Sequence, residues 1–93
     1  MHVLKLPAAL THESAADFSQ TLRQAVLSQP AEVVADASAL TEFDSSALAI
    51  LLECRRQALA AGKSFSVQAA PPRLRQLAGL YGVAGLIPVT ACV

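Results

Sequence analysis

The fold is decided by residues 33–58, VVADASALTEFDSSALAILLECRRQA. The stretch starts inside a short apolar segment, residues 32–36, whose β-branched centre predicts a strand. A polar connection follows, and an apolar block begins soon after Asp44. Aspartate is favoured at the N-cap of a helix because its side chain accepts hydrogen bonds from the first free amides. The stretch therefore predicts a strand, a loop and a helix that begins near Asp44 and ends before Gly62.

The start of this helix has a position that suits binding. In open α/β sheets, binding sites gather at the carboxyl ends of the strands. The strand before the loop ends at Asp36, so Asp44, Ser45 and Ser46 are expected at that edge, with exposed amides and hydroxyls. Phe43 precedes the cap, where an apolar residue packs as a hydrophobic staple, with an exposed partner contact as the alternative.

The other elements alternate in type along the chain. Residues 2–6 and 64–68 predict strands. Residues 12–28 repeat apolar side chains every three or four positions after the cap Thr11, and a third helix begins near Pro72. The predicted inner faces of the three helices are Ala15, Phe18, Leu22, Ala25 and Val26; Leu48, Ile50, Leu51, Leu52, Cys54, Ala58 and Leu59; and Leu74, Leu77, Ala78 and Tyr81.

Residues 85–89, GLIPV, predict a last short strand or an extended tail. The resulting order of strand, helix, strand, helix, strand, helix and strand is typical of an α/β domain. Such a domain has a largely parallel sheet and right-handed crossovers. We expect one domain over residues 1–93.

Composition excludes several classes of function. The chain has seven basic and seven acidic side chains among 93 residues, so it lacks the basic footprint of a nucleic-acid binder. No apolar run reaches the ~18 residues that span a bilayer, and no targeting segment is evident, which predicts a soluble, cytoplasmic protein. Cys54 and Cys92 lie far apart and are expected to be free thiols in that compartment.

The sequence also argues against an enzyme. Ser45, His12 and Asp36 are the residue types of a hydrolase triad, but no G-x-S-x-G elbow arranges them. The two histidines and two cysteines lack metal-ligand spacing, and no phosphate-binding glycine loop is present. We therefore predict no catalytic residue, no metal and no cofactor.

Residues 33–58 resemble the signature of STAS domains, the fold of anti-sigma-factor antagonists and of sulfate-transporter tails. That signature is an apolar strand ending in Asp, a short loop with an apolar residue, and Asp-Ser-Ser-Gly-Leu entering an apolar helix. It is matched by Asp36, Leu40, Phe43, Asp44, Ser45, Ser46 and Leu48. The resemblance implies a STAS-like α/β domain with a mostly parallel, four-stranded sheet and about three helices.

The C-terminal third resembles one branch of this family. LRQLAGLYGVAGLIPV is similar to the end of the small STAS subunit of Mla-type phospholipid ABC transporters, through Leu80, Tyr81, Leu86 and Pro88. LKLPAALT near the start is similar to that subunit's second strand. Two departures from the family are Ala47, where glycine is usual, and little sequence for a leading strand.

The resemblance implies a subunit that binds the cytoplasmic ATPase of the transporter, catalyses nothing, and lies at the inner membrane only through its partner. We predict that the docking face includes part of the helix surface over residues 44–61. Its other members are Thr41, Glu42, Phe43, Asp44, Ser45 and Ser46.

Two alternatives remain open. In anti-sigma-factor antagonists a partner kinase phosphorylates the first serine after the aspartate, which corresponds to Ser45. A stand-alone regulator could also bind an unrelated partner through the same edge.

Overall fold

The structure is a computed structural model that describes residues 3–87. In chain order the elements are β1 (Leu4–Lys5), β2 (Ala9–Leu10), α1 (His12–Leu27), β3 (Glu32–Asp36), β4 (Glu42–Phe43), α2 (Ser45–Ala60), β5 (Ser64–Gln68), α3 (Pro72–Leu80) and a 3₁₀ turn (Ala84–Leu86). The helices and longer strands lie where the sequence predicts them. The predicted first strand is shorter, and its residue His2 lies outside the described residues.

The strands form two parallel sheets. The larger has the order β1-β3-β5, with Val33 opposite Phe65 and Ala35 opposite Val67. The smaller pairs β2 with β4, placing Leu10 opposite Phe43. This confirms the parallel α/β fold, although the described residues contain five strands in two sheets rather than four in one. Strands of two residues carry no periodic signal and form only through pairing with a distant segment.

The core lies between the larger sheet and the helices. Alternate residues of β3 and β5 are buried, and α2 packs against both β5 and α1. Burial of the leucine and valine side chains drives this packing, each contributing about 1.5–3 kcal/mol. The fully buried large side chains are Leu10, Leu22, Val26, Val33, Leu51, Cys54, Val67 and Leu74.

Two predicted core residues are exposed. Leu59, placed on the inner face of α2, is 49 % exposed because it lies about 100° round the helix from the buried Ala58. Tyr81, placed on the inner face of α3, is 57 % exposed because the helix ends at Leu80 and Tyr81 is its C-cap.

The chain after α3 also differs from the prediction. Instead of a strand or extended tail at residues 85–87, a 3₁₀ turn over Ala84–Leu86 brings Ile87 into the core. Gly82, with a φ of +73°, allows the reversal that places Val83 N–H against the carbonyl of Ala78 at 2.9 Å. The rest of the predicted tail, residues 88–89, and Cys92 lie outside the described residues.

The thiol of Cys54 is free and buried inside α2. Burial, with a smaller contribution from the charge of Glu53, raises the pKa of this thiol to about 11. A cysteine of this kind packs as a small apolar side chain and is a poor nucleophile at neutral pH. No helix within residues 3–87 is long and apolar enough to cross a membrane.

Lys63 fastens the end of α1 to the turn between α2 and β5. Its ammonium group donates hydrogen bonds to the carbonyl oxygens of Val26 at 3.0 Å and Leu27 at 3.2 Å, and also to that of Gln29. The last carbonyls of a helix lack intrahelical partners and carry partial negative charge, so a cation there satisfies them. One side chain thus closes the C-terminus of α1.

We predict that Lys63→Met lowers the free energy of unfolding by about 1–2 kcal/mol, since hydrogen bonds from a charged group to carbonyls at the end of α1 are lost. Urea denaturation followed by circular dichroism measures the effect. Lys5→Met, which removes an exposed lysine from β1, is the matched control and should change stability by less than about 0.5 kcal/mol. Equal stability of the two variants would contradict the assigned role of Lys63.

Candidate protein-interaction site at the carboxyl edge of the sheet

The loop after β3 begins at an anchored aspartate. The Asp36 carboxylate accepts a hydrogen bond from the N–H of Ser38 at 3.0 Å, and this bond is the main cause of the lowered pKa of Asp36. The N–H of Ala37 donates to the carbonyl of Gln68 at the end of β5, at 3.0 Å. The carboxyl ends of β3 and β5 therefore hold the start of the loop, at the edge of the sheet where the sequence predicts the site.

The next part of the loop is held by a segment near the N-terminus. The backbone N–H groups of Thr41 and Glu42 both donate to the carbonyl of Ala8, at 2.8 and 3.0 Å, and the Thr41 hydroxyl lies 3.3 Å from the same oxygen. Both side chains are exposed. The family resemblance indicated a strand near Ala8–Leu10, but the sequence did not show that this segment supports the loop, because the pairing joins residues far apart in the chain.

Asp44 is the N-cap of α2, as predicted, and it also binds α1. One carboxylate oxygen accepts from the N–H of Ser46 at 2.8 Å. The other accepts from the N–H of His12, the first residue of α1, at 3.1 Å. These bonds to the charged form, that from Ser46 first, lower the pKa of Asp44. A single side chain therefore links the N-termini of two helices, although the N-cap of α1 itself is Thr11, as predicted.

The two serines after Asp44 differ in exposure. Ser45 is the first residue of α2 and is exposed, whereas Ser46 is half-buried. Ala47, which replaces the usual glycine, is fully buried in ordinary helix. A methyl group is thus accommodated there, and alanine favours the helix over glycine by about 1 kcal/mol.

Phe43 faces inward. It is 8 % exposed and belongs to the same core cluster as Leu48, which agrees with the staple interpretation. The sequence prediction also placed Phe43 on the docking face, and burial leaves its ring little surface of its own for a partner. Its influence on the surface comes through Arg73, whose guanidinium carbon lies 5.6 Å from the ring centroid.

A groove runs from the start of α2 to α3. Its volume is about 600 Å³, and it brings Ser45 to the same surface as two exposed apolar residues, Leu80 at 81 % and Tyr81 at 57 % exposure. The lining residues are Phe43, Asp44, Ser45, Arg73, Gln76, Leu77, Leu80 and Tyr81. We call this surface the α2–α3 groove.

The sequence analysis did not place α3 at the site. Leu80 was noted only through a family resemblance, Tyr81 was also placed on the inner face of α3, and Arg73 was not singled out. A helical projection separates Arg73 from the buried pair Leu74 and Ala78, so its exposure was readable. The exposed side of α3 lies beside Ser45 because of how α3 packs on the rest of the domain, and the sequence does not indicate that packing.

Among the described residues, this edge carries hydroxyls, carboxylates, the guanidinium of Arg73 and exposed apolar side chains. Within the part of the chain that the structure describes, no three His, Cys, Asp or Glu side chains are placed to hold a metal ion. His12 is exposed, and the hydrogen bond that it gives Asp44 comes from its backbone rather than its ring.

We predict that Asp44→Asn weakens the dependence of stability on pH under acidic conditions, so that the acid limb of the curve of stability against pH becomes flatter. Folding lowers the pKa of Asp44, so its stabilising contribution is present above the pKa of the unfolded chain and is lost as pH falls through the folded pKa. Denaturation midpoints between about pH 5 and pH 2 measure the change. Asp36 and Glu53, whose pKa values are also lowered, keep part of the acid sensitivity in the variant.

The control for this prediction is Asp17→Asn, an exposed position of α1. The carboxylate of Asp17 accepts no hydrogen bond from any residue between Val3 and Ile87, so its removal should leave the acid limb steeper than in Asp44→Asn. If wild type and Asp44→Asn lose stability equally as pH falls, the two hydrogen bonds of the Asp44 carboxylate contribute nothing to stability.

Comparison with solved structures shows the same fold in three proteins. A STAS-domain anti-sigma-factor antagonist protein from Planctomyces limnophilus matches with a TM-score of 0.81 and 16 % identity, over 98 % of this chain and 82 % of that one. A sulfate transporter family protein from Wolinella succinogenes matches with a TM-score of 0.75 and 12 % identity, over 95 % and 74 %. The unphosphorylated anti-sigma factor antagonist SpoIIAA matches with a TM-score of 0.71 and 16 % identity, over 94 % and 76 %.

At these identities the structural matches establish the fold alone. A search of curated proteins finds no significant sequence match. The family assignment comes from the sequence model described as Mlab, STAS domain, which matches residues 1–88. That span includes the anchored loop, the Asp44 cap and α3, so the chain belongs to the MlaB family of STAS domains.

Proposed function

We propose that this chain is the non-enzymatic STAS subunit of a phospholipid-transport ABC system that maintains lipid asymmetry. In this role it binds the cytoplasmic ATPase through the turn at residues 41–46 and the adjoining surface of α2. The observation that carries the proposal is the exposed Ser45 at the carboxyl edge of the sheet, in a chain whose family model is that of MlaB. The protein then lies at the cytoplasmic side of the inner membrane through its partner.

The geometry supports docking because the turn is held before a partner arrives. The backbone of Thr41 and Glu42 is hydrogen-bonded to Ala8, and Asp44 is hydrogen-bonded to both helices, so the backbone of the turn needs little further ordering. Preorganisation reduces the entropy cost of association. Exposed Thr41, Glu42 and Ser45 then offer hydroxyl and carboxylate groups to the partner from a fixed backbone.

Regulation requires no catalytic group in this subunit. A protein that binds one conformer of an ATPase more tightly than another shifts the equilibrium by the difference in the two binding free energies. A rigid docking surface suits this role, because it discriminates between conformers whose matching surfaces differ in shape.

We predict that Ser45→Arg weakens binding to the transporter ATPase by about tenfold or more, since a bulky cation replaces a small hydroxyl in the interface. Isothermal titration calorimetry with the two purified subunits measures the dissociation constant. The far-UV circular dichroism spectrum should not change, because Ser45 is exposed and its side chain donates to no other residue of the described range.

Ser64→Arg is the matched control, since Ser64 is exposed at the amino end of β5, the opposite edge of the sheet. It should bind as the wild type does. Wild-type affinity of Ser45→Arg would exclude docking through this turn.

A second candidate is an anti-sigma-factor antagonist that a kinase switches by phosphorylating Ser45. The exposed hydroxyl at the first position of α2 supports it. A phosphate adds about −1.5 to −2 charges, which the helix N-terminus favours and the neighbouring Asp44 opposes. The domain would stay folded, while an interface closed over that charge would be released.

Affinity purification from the native cell separates the two candidates. Recovery of an ABC ATPase and permease, with an intact mass that shows unmodified chain, supports the transporter role. Recovery of a serine-kinase-type anti-sigma factor with a phosphorylated Ser45 would replace it with the second.

A further inference from the structure

We infer that the α2–α3 groove receives a segment of the partner ATPase that carries a carboxylate beside a large apolar side chain, with Arg73 pairing the carboxylate. This inference rests on the proposed function and specifies the chemistry of its partner. It enlarges the docking face from the predicted turn to α3, where the structure places a cation and two exposed apolar residues beside Ser45.

Arg73, the cation of the groove, packs on an aromatic ring but forms no ion pair within the described residues. Arg73 is exposed, its guanidinium lies over Phe43, and it forms no ion pair with any residue between Val3 and Ile87. A guanidinium on an aromatic ring retains its N–H donors, which match the two oxygens of a carboxylate. Phe43 is buried and held in β4, so its ring supports the guanidinium of Arg73 at the surface where a partner would bind.

Asp44 does not compete strongly for Arg73. It is the acidic residue among those that line the groove, and both of its oxygens already accept hydrogen bonds from helix N-termini. The partial positive charge of those two termini offsets the carboxylate charge. The electrostatic complement of the groove is therefore an anionic group rather than a cationic one.

The wall beyond Arg73 is apolar. Leu80 and Tyr81 expose more than half of their surface, and Leu77 between them and the core is half-buried. Adjacent exposed residues of this kind indicate interaction sites, and tyrosine and arginine are prominent among the residues that dominate interface energies. A partner segment that fills the groove must therefore carry both an anionic group and an apolar side chain.

The same features argue against a membrane as the occupant. Recognition of an anionic lipid surface uses clusters of about four to eight basic side chains. The groove offers one cation, and Glu42 and Asp44 lie in the adjoining turn. A protein segment with a single carboxylate is the better match.

The test is a charge reversal on α3 with a matched control. Arg73→Glu should weaken binding to the purified ATPase subunit about tenfold or more, because two carboxylates would then face each other. Arg75→Glu makes the same change two residues further on, about 200° round the helix and outside the groove. It should bind within about threefold of wild type. Tyr81→Ser should weaken binding without altering its dependence on salt.

The outcomes separate this inference from the proposed function. If the wild-type chain does not bind the ATPase, the proposed function fails, and the inference fails with it. If the wild type binds and Ser45→Arg does not, but Arg73→Glu binds normally or no worse than Arg75→Glu, the inference alone is overturned. Sedimentation tests whether a second copy of this chain occupies the groove. A wild-type dimer that Arg73→Glu dissociates would assign the groove to that second copy.

Discussion

Asp44 accepts a hydrogen bond from the first turn of each of two helices, and the arrangement of the site depends on this shared cap. The carboxylate places the N-termini of α1 and α2 next to each other, although the two elements are separated in the sequence by β3 and its loop. It also determines where Ser45 stands, because the serine is the next residue in the chain. A side chain that accepts one free amide from each of two helices both stabilises the fold and positions the surface.

The pairing of β2 with β4 holds the part of the loop that precedes Asp44. Ala8 accepts the N–H groups of Thr41 and Glu42, so the loop is fixed at its middle as well as at its end. The exposed side chains of the turn therefore stand on a rigid backbone, and α3 adds Arg73 and Tyr81 to the same surface.

The sequence predicted the long elements well and the short ones poorly. The helix from Ser45 to Ala60 and the strands Glu32–Asp36 and Ser64–Gln68 carry periodic apolar patterns or caps, so local reasoning located them. The strands Ala9–Leu10 and Glu42–Phe43 are too short for a pattern. Tyr81 was misplaced because the periodicity continues past the residue at which α3 ends.

By itself, the sequence determined the parallel α/β class, the cap at Asp44 and the location of Ser45 at the carboxyl edge of the sheet. These features follow from local periodicity, cap chemistry and the chain order of strands and helices. The tertiary structure alone decided that Asp44 also accepts the N–H of His12 at the start of α1, that Phe43 supports Arg73, and that α3 forms the second wall of the groove. Each of these depends on contacts between segments far apart in the chain, and no local pattern encodes which distant surfaces meet.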